Sequence, residues 1–224
     1  MIFVVSTART GLPRYQRLVD GLVLPGSVAH APALDFCNTL AGWNGGEERD
    51  YLETYAHLVV WARDAGLVDD AAAAVLRDEA ASDPRVAERQ LRRARSLRRA
   101  LYRACADPDD LAAWDAVGRE ARAAAAHAEL HHGRPPGRRW SVSAEVGLAR
   151  PVLEIAREAG ALLATTDLGD VKQCPGSGCG WLFVDRSGRR RWCTMEVCGN
   201  RAKVRRHSDR QRATRTAQPG PKDA

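Results

Sequence analysis

Along the first 170 residues of this 224-residue chain, apolar side chains recur mainly every three or four positions, the period of one buried helix face. Ala33, Leu34, Phe36, Cys37 and Leu40 set the first such stripe and predict a helix over 28–40. A glycine-rich break at 42–46 precedes a second helix, expected from Arg49 or Asp50, with Tyr51, Leu52, Tyr55, Leu58, Val59 and Ala62 on its apolar face and Gly66 as its C-cap. Asp69 and Asp70 open an alanine-rich helix to about Ala81, and Ser82, Asp83 and Pro84 separate it from the next. That helix, over 85–105, sets Leu91, Ala94, Leu97, Leu101 and Cys105 against seven arginines between Arg89 and Arg103. A fifth opens at Asp107 to Asp109 and runs through Leu111, Trp114 and Val117 to about residue 125.

Between 127 and 143 the period changes. Trp140 and Val142 alternate with polar residues beyond Gly133, Pro135, Pro136 and Gly137, so a β-hairpin is expected there. A last long helix, 148–166, aligns Leu148, Val152, Ile155, Ala159, Leu162 and Leu163. Residues 1–27 show no sustained period and are expected to form a loosely packed arm, with a short strand at Ile2 to Val5. Residues 213–224, with Pro219, Gly220 and Pro221, are expected to be disordered.

Beyond residue 170 helical periodicity gives way to cysteine chemistry. Cys174 and Cys179, then Cys193 and Cys198, form two C-x4-C pairs thirteen residues apart. Four thiolates delivered in two short loops suit one structural, tetrahedral zinc ion. Gly176, Gly178 and Gly180 let the first loop turn tightly around a metal. Trp181 to Asp185 reads as a strand, Arg186 to Gly188 as a turn and Arg189 to Trp192 as a returning strand, with Cys198 at the entrance to a basic helix ending near Arg212. Knuckle, hairpin, then a ligand pair at a helix start is the order of a treble-clef finger. Ordinary buried cysteines or two disulfides are the competing accounts, but a segment this rich in glycine and arginine has little core to bury thiols in.

Charge sharpens this picture. Between Lys172 and Arg215 twelve Lys and Arg stand against Asp185, Glu196 and Asp209, a net of +9, whereas the whole chain is +6 and the remainder therefore −3. Concentrating positive charge at one end suggests a polyanionic partner, and a solvated basic tail is the bland alternative. No run of eighteen apolar residues exists, so no membrane span is expected. Residues 1–28 do not read as a secretory signal, which leads to an expectation of a cytoplasmic protein, nucleoid-associated if it binds DNA.

Cys198-Gly199-Asn200-Arg201, together with the paired cysteines, Trp181-Leu182-Phe183, Asp185 and Arg191-Trp192-Cys193, resembles the CGNR zinc finger family. That resemblance implies a DNA-binding finger at the C-terminus of a bacterial transcription regulator. Ala33-Leu34-Asp35-Phe36-Cys37-Asn38-Thr39-Leu40 and the Asp50-Tyr51-Leu52 segment resemble the ABATE domain that precedes such fingers, a family described as stress-induced transcription regulators.

The expected architecture is mainly α: an arm over 1–27, a helical domain with a small β-hairpin over 28–170, a treble-clef-like four-cysteine zinc finger over 171–212 and a tail. Arg186, Arg189, Arg190 and Arg191 on the hairpin and Arg201, Lys203, Arg205 and Arg206 on the helix are the expected phosphate contacts. Asn200 and Arg201 either read base edges or brace the zinc loops. The helical domain would serve as a sensor or oligomerisation unit, with Asp35, Asn38, Thr39 and Trp43 as candidate lining of an effector pocket; capping or bracing of neighbouring helices is the plainer role for Asp35 and Asn38. His127, His131 and His132 cluster without the carboxylates of a metalloprotease motif, and no nucleophile elbow, Walker lysine or dinucleotide fingerprint is present, so no enzyme is expected. Two rivals to DNA binding stand: a finger that docks a protein partner, and an RNA-binding protein with Trp181, Phe183 and Trp192 as stacking candidates.

Overall fold

In a computed structural model, residues 15–132 and 139–216 are described. The strand expected at Ile2 to Val5, the turn at 133–138 and the end of the tail lie outside them. Residues expected to belong to a loose arm instead form a hairpin, β1 (Gln16–Val19) against β2 (Leu22–Pro25). Its two-residue turn is Asp20-Gly21, both with positive φ (48° and 76°). That is the backbone a tight hairpin turn needs, and Asp-Gly is a strong sequence signal for it.

Helix α1 (Pro32–Cys37) is shorter than the stripe predicts. Its Asp35 carboxylate accepts hydrogen bonds from the amides of Val28 (2.8 Å) and Ala29 (2.9 Å), which holds those residues as a turn folded back on the helix. The next expected helix also starts late. Tyr51 and Leu52 are buried but not helical, because Leu40–Ala41 (β3) pairs with Arg49–Asp50 (β4) across the glycine loop. Helix α2 (Tyr55–Asp64) then starts after Thr54, whose capping partner three residues on is His57.

The next three helices start at acidic caps. Asp69 caps α3 (Asp70–Ser82) through the Ala72 amide, Asp83 caps α4 (Pro84–Ala106) through Val86, and Asp110 caps α5 (Leu111–Ala126) through Ala113. The predicted hairpin is β5 (Ala128–His131) with β6 (Arg139–Val142), after which α6 (Arg150–Thr165) runs through the middle of the body. Val152, Ile155, Ala156 and Ala159 on α6 are wholly buried, and α1, α4 and α5 pack around it. Among the described residues no helix is long and apolar enough to cross a membrane.

The arginine face of α4 is largely neutralised. Arg92 pairs with Glu88, Arg93 with Glu120, Arg99 with Glu48 and Arg103 with Asp110. Arg95 donates to the Leu52 carbonyl (2.7 Å). Arg98 is fully buried and holds Asp50 in a two-pronged pair of 2.7 and 2.6 Å, with a third bond to Thr39 Oγ1 at 3.0 Å. This pair fixes β4 against α4 and so sets the path of the glycine loop. Burial pushes the Asp50 carboxyl upward, but the hydrogen bonds and charge of Arg98 outweigh it and hold the group below its ordinary value.

Removing one partner of a buried pair strands the other charge, so Asp50→Ala is expected to destabilise the protein by about 3–5 kcal/mol in urea denaturation. Because the folded-state value is depressed, Asp50 stabilises fully above the unfolded carboxylate range near ~4 and loses that contribution as pH falls through its lowered value. Stability measured against pH should therefore fall less steeply on the acid side for Asp50→Asn than for the parent.

Candidate metal centre and basic helix

The finger begins with an antiparallel pair, β7 (Val171–Gln173) and β8 (Leu182–Val184). The Cys174 amide donates to the Trp181 carbonyl at 2.8 Å and closes the ladder over the first cysteine loop. Strand β8 matches the expected strand, but its partner lies before the knuckle and not at Arg189 to Trp192, which form no strand. The reason is Asp185: its carboxylate accepts the amides of Ser187 (3.1 Å) and Arg190 (3.0 Å) and turns the chain away from β8. Cys193 then precedes a turn at Met195–Gly199, capped by Thr194, which contains Cys198 and feeds directly into α7 (Asn200–Thr216).

Cys174, Cys179, Cys193 and Cys198 are all buried, and their sulfurs lie within 4.8 Å of one another. Cys179 to Cys193 is 3.7 Å and Cys193 to Cys198 is 3.5 Å. A tetrahedral zinc with bonds near 2.3 Å sets its sulfurs about 3.8 Å apart, whereas a disulfide needs about 2.05 Å. The separations fit zinc, and all six cysteines are free. Gly176 belongs to the cradle, since a side chain there would start 3.0 Å from the Cys198 sulfur and 3.4 Å from that of Cys174. The donor set and spacing fit one structural zinc ion, which these four thiolates would hold and which would fix the two cysteine loops and the root of α7.

The centre is not an isolated module. Cys174, Cys179, Cys193 and Cys198 share a cluster with Val28, Tyr51, Trp181 and Phe183, so part of the helical body is their hydrophobic floor. Asn38 of the body makes a two-way bond with β8: its Nδ2 donates to the Leu182 carbonyl (2.9 Å) and its Oδ1 accepts the Leu182 amide (2.8 Å). Trp181 Nε1 donates to the Leu40 carbonyl (3.0 Å), and the Tyr102 hydroxyl donates to the Gly180 carbonyl (2.7 Å). Trp43 stacks on Tyr102 at 3.8 Å and donates to the Cys37 carbonyl.

These contacts bear directly on the expected effector pocket. Asp35, Asn38, Thr39 and Trp43 do not converge on one cavity: Asp35 binds the 27–29 turn, Asn38 holds β8, Thr39 bonds Phe36 and Arg98, and Trp43 lies on Tyr102. Their polar atoms are spent on the fold, which is the bracing role. Asn38 was visible in the sequence, but its partner 144 residues away was not. Tyr102, which lies outside the apolar stripe read for its helix, carried no signal for its role.

The basic residues divide likewise. Arg190 is a strut and not a free cation: it donates to the carbonyls of Val28 (2.6 Å), Trp192 and Cys193 and lies over the Phe183 ring at 4.4 Å. Arg186, Arg189, Lys203, Arg205 and Arg206 are exposed and form no ion pair among the described residues. Arg191 lies over Trp192 at 5.2 Å. Asn200 donates to the Glu196 carbonyl (3.0 Å), and an Arg201 nitrogen lies 3.8 Å from the Cys198 sulfur, so both have contacts that brace the zinc turn. His131 pairs loosely with Glu129 at 3.8 Å, and the four cysteines are the only metal-holding cluster among the described residues.

Elemental analysis should return one zinc per chain, and a chelator that removes it should change the tryptophan environment and lower the stability of the helical body, because the two share a core. Asn38→Ala, which leaves the buried Leu182 amide and carbonyl unpaired, should cost about 2–4 kcal/mol in urea denaturation while retaining the metal.

The CGNR zinc finger profile matches residues 171–211, covering β7 through most of α7. A second profile, ABATE, described as "Putative stress-induced transcription regulator", matches residues 30–166. No curated protein matches the chain. With more than half of its length matched by the second profile, the chain belongs to the ABATE family and carries a CGNR zinc finger C-terminal to that domain.

Proposed function

We propose that the protein is a regulator that binds duplex DNA through its finger, with α7 and the 186–191 turn on the phosphate backbone. The observation that carries this reading is the contrast between two arginine-rich surfaces. On α4 the cations are mostly matched by carboxylates of the same fold. On the finger, Arg186, Arg189, Lys203, Arg205 and Arg206 are exposed without an ion pair among the described residues. Like charges gathered without internal neutralisation repel one another and are relieved by a polyanion, which releases counterions on binding.

Zinc serves this function indirectly by holding the root of α7, and no step of chemistry is required of it. Arg190 is excluded from the contact set because its guanidinium is committed to backbone carbonyls. Family membership supports a regulatory role, and the β7–β8 anchor supports a finger that presents its cations in one fixed direction relative to the body.

Titration of the zinc-loaded chain with duplex DNA across a salt series tests the proposal. Binding should weaken steeply with salt, and Arg205→Ala with Arg206→Ala should flatten the slope by about one to two units in log–log form, since each phosphate contact contributes roughly 0.9. Absence of affinity at low salt, with zinc retained, would overturn DNA binding; tighter binding of single-stranded RNA than duplex DNA would move the function to RNA.

A further inference from the structure

Of the two outer edges of the β5–β6 hairpin, one is closed by the fold and the other is open. Ser143 donates its amide to the His127 carbonyl at 2.9 Å, so by antiparallel alternation the pairs that exchange backbone bonds are 127 with 143, 129 with 141 and 131 with 139. Ala128 and Leu130 on β5, and Trp140 and Val142 on β6, therefore turn their backbone groups away from the partner strand. On β6 the outward amide of Val142 is taken by the carboxylate of Glu154, a fully buried residue, at 2.8 Å. On β5 no third strand lies beyond the outward edge among the described residues. This edge has neither a proline nor a bulge, two of the devices that stop a bare strand from pairing with another chain.

The side chains along that edge suit a second copy of the same strand. Val142 is buried in the body core, but the next cross-strand pair on its face, Leu130 and Trp140, is 63% and 52% exposed. The opposite face carries Glu129 and His131, both exposed. Two β5 strands laid antiparallel about a two-fold axis at Leu130 bring the outward backbone groups of Leu130 onto those of its copy. The same axis sets the Glu129 carboxylate opposite the His131 imidazole of the second copy, and does so twice, at the pair positions where side chains lie closest. Sliding one copy by two residues sets carboxylate against carboxylate or imidazole against imidazole and loses both opposite pairs. Sliding by one residue turns Leu130 to the wrong face. Charge and backbone direction therefore select the same alignment.

We propose that the protein forms a two-fold homodimer in which β5 of each copy pairs antiparallel with β5 of the other about Leu130. The two hairpins then make one four-stranded sheet in the order β6, β5, β5, β6. Trp140 and Leu130 of one copy and Leu130 and Trp140 of the other form a continuous apolar row across one face, and burial of that row supplies the apolar part of the interface. Such strand addition takes its affinity from backbone bonds and its specificity from alternate side chains. The dimer does not rest on the DNA reading, because it is measured without nucleic acid.

Sedimentation of the full zinc-loaded chain over a concentration series tests this. The parent should show a monomer–dimer equilibrium with a dissociation constant in roughly the micromolar range, as suits a short interface. Leu130→Arg, which sets two like charges face to face at the axis, should weaken dimerisation at least about tenfold with unchanged helicity and zinc content. Leu111→Arg, at an apolar residue of α5 that is also exposed, should leave it unchanged. The alignment is read separately by disulfide trapping with oxidised glutathione. Leu130→Cys should cross-link to its own copy, since directly bonded antiparallel residues stand about 5.5 Å apart at Cα, within disulfide reach. Glu129→Cys should not, because its copy lies two residues along the strand. A parent that stays monomeric at ~300 μM, well above the micromolar range, overturns the proposal. Equal loss of dimer from Leu111→Arg, or equal cross-linking of Glu129→Cys, overturns it as well.

Discussion

The arrangement depends most on the pairing of Asn38 with the backbone of Leu182. An asparagine amide offers one donor and one acceptor in the geometry of a neighbouring strand, and here it replaces the strand partner that β8 lacks on that side. Both bonds are buried, so water cannot replace them, and alternatives that leave Leu182 unpaired are strongly disfavoured. With β8 fixed, Trp181 reaches Leu40, Gly180 meets Tyr102, and the first two thiols are delivered to the metal over a floor supplied by the body.

This attachment changes the meaning of the two matched regions. The finger boundary is clear in the chain, but the hydrophobic cluster around the cysteines includes Val28 and Tyr51 from the body. Metal-binding free energy is therefore folding free energy for both parts. Arg190 adds to the attachment by reaching Val28, so one arginine of the 186–191 turn is structural, whereas Arg186 and Arg189 pair with no carboxylate among the described residues. Charge counting treats all of these residues alike; only their partners separate a strut from a contact.

Much was legible in the sequence. Helices α3 to α5 follow from period and from acidic caps, and α6 and the 128–142 hairpin from period, all local interactions within a few residues. The clustering of the four cysteines was legible because their spacing and residue type suit tetrahedral metal coordination. The β1–β2 hairpin was also within reach, since Asp20-Gly21 marks its turn. The late start of α2 was not, because it depends on Asp50 being captured by Arg98, 48 residues away.

The sequence by itself thus determined the helical class, the family resemblance, the four-cysteine cluster and the concentration of positive charge, all properties carried by local spacing or by summed composition. Tertiary structure alone decided that β8 pairs with β7, that Asn38 and Trp43 brace neighbouring segments, and that most α4 arginines are neutralised. Each of those rests on which distant groups meet. The energy of a buried polar group is set by its partner, and a partner far along the chain leaves no periodic trace in the sequence.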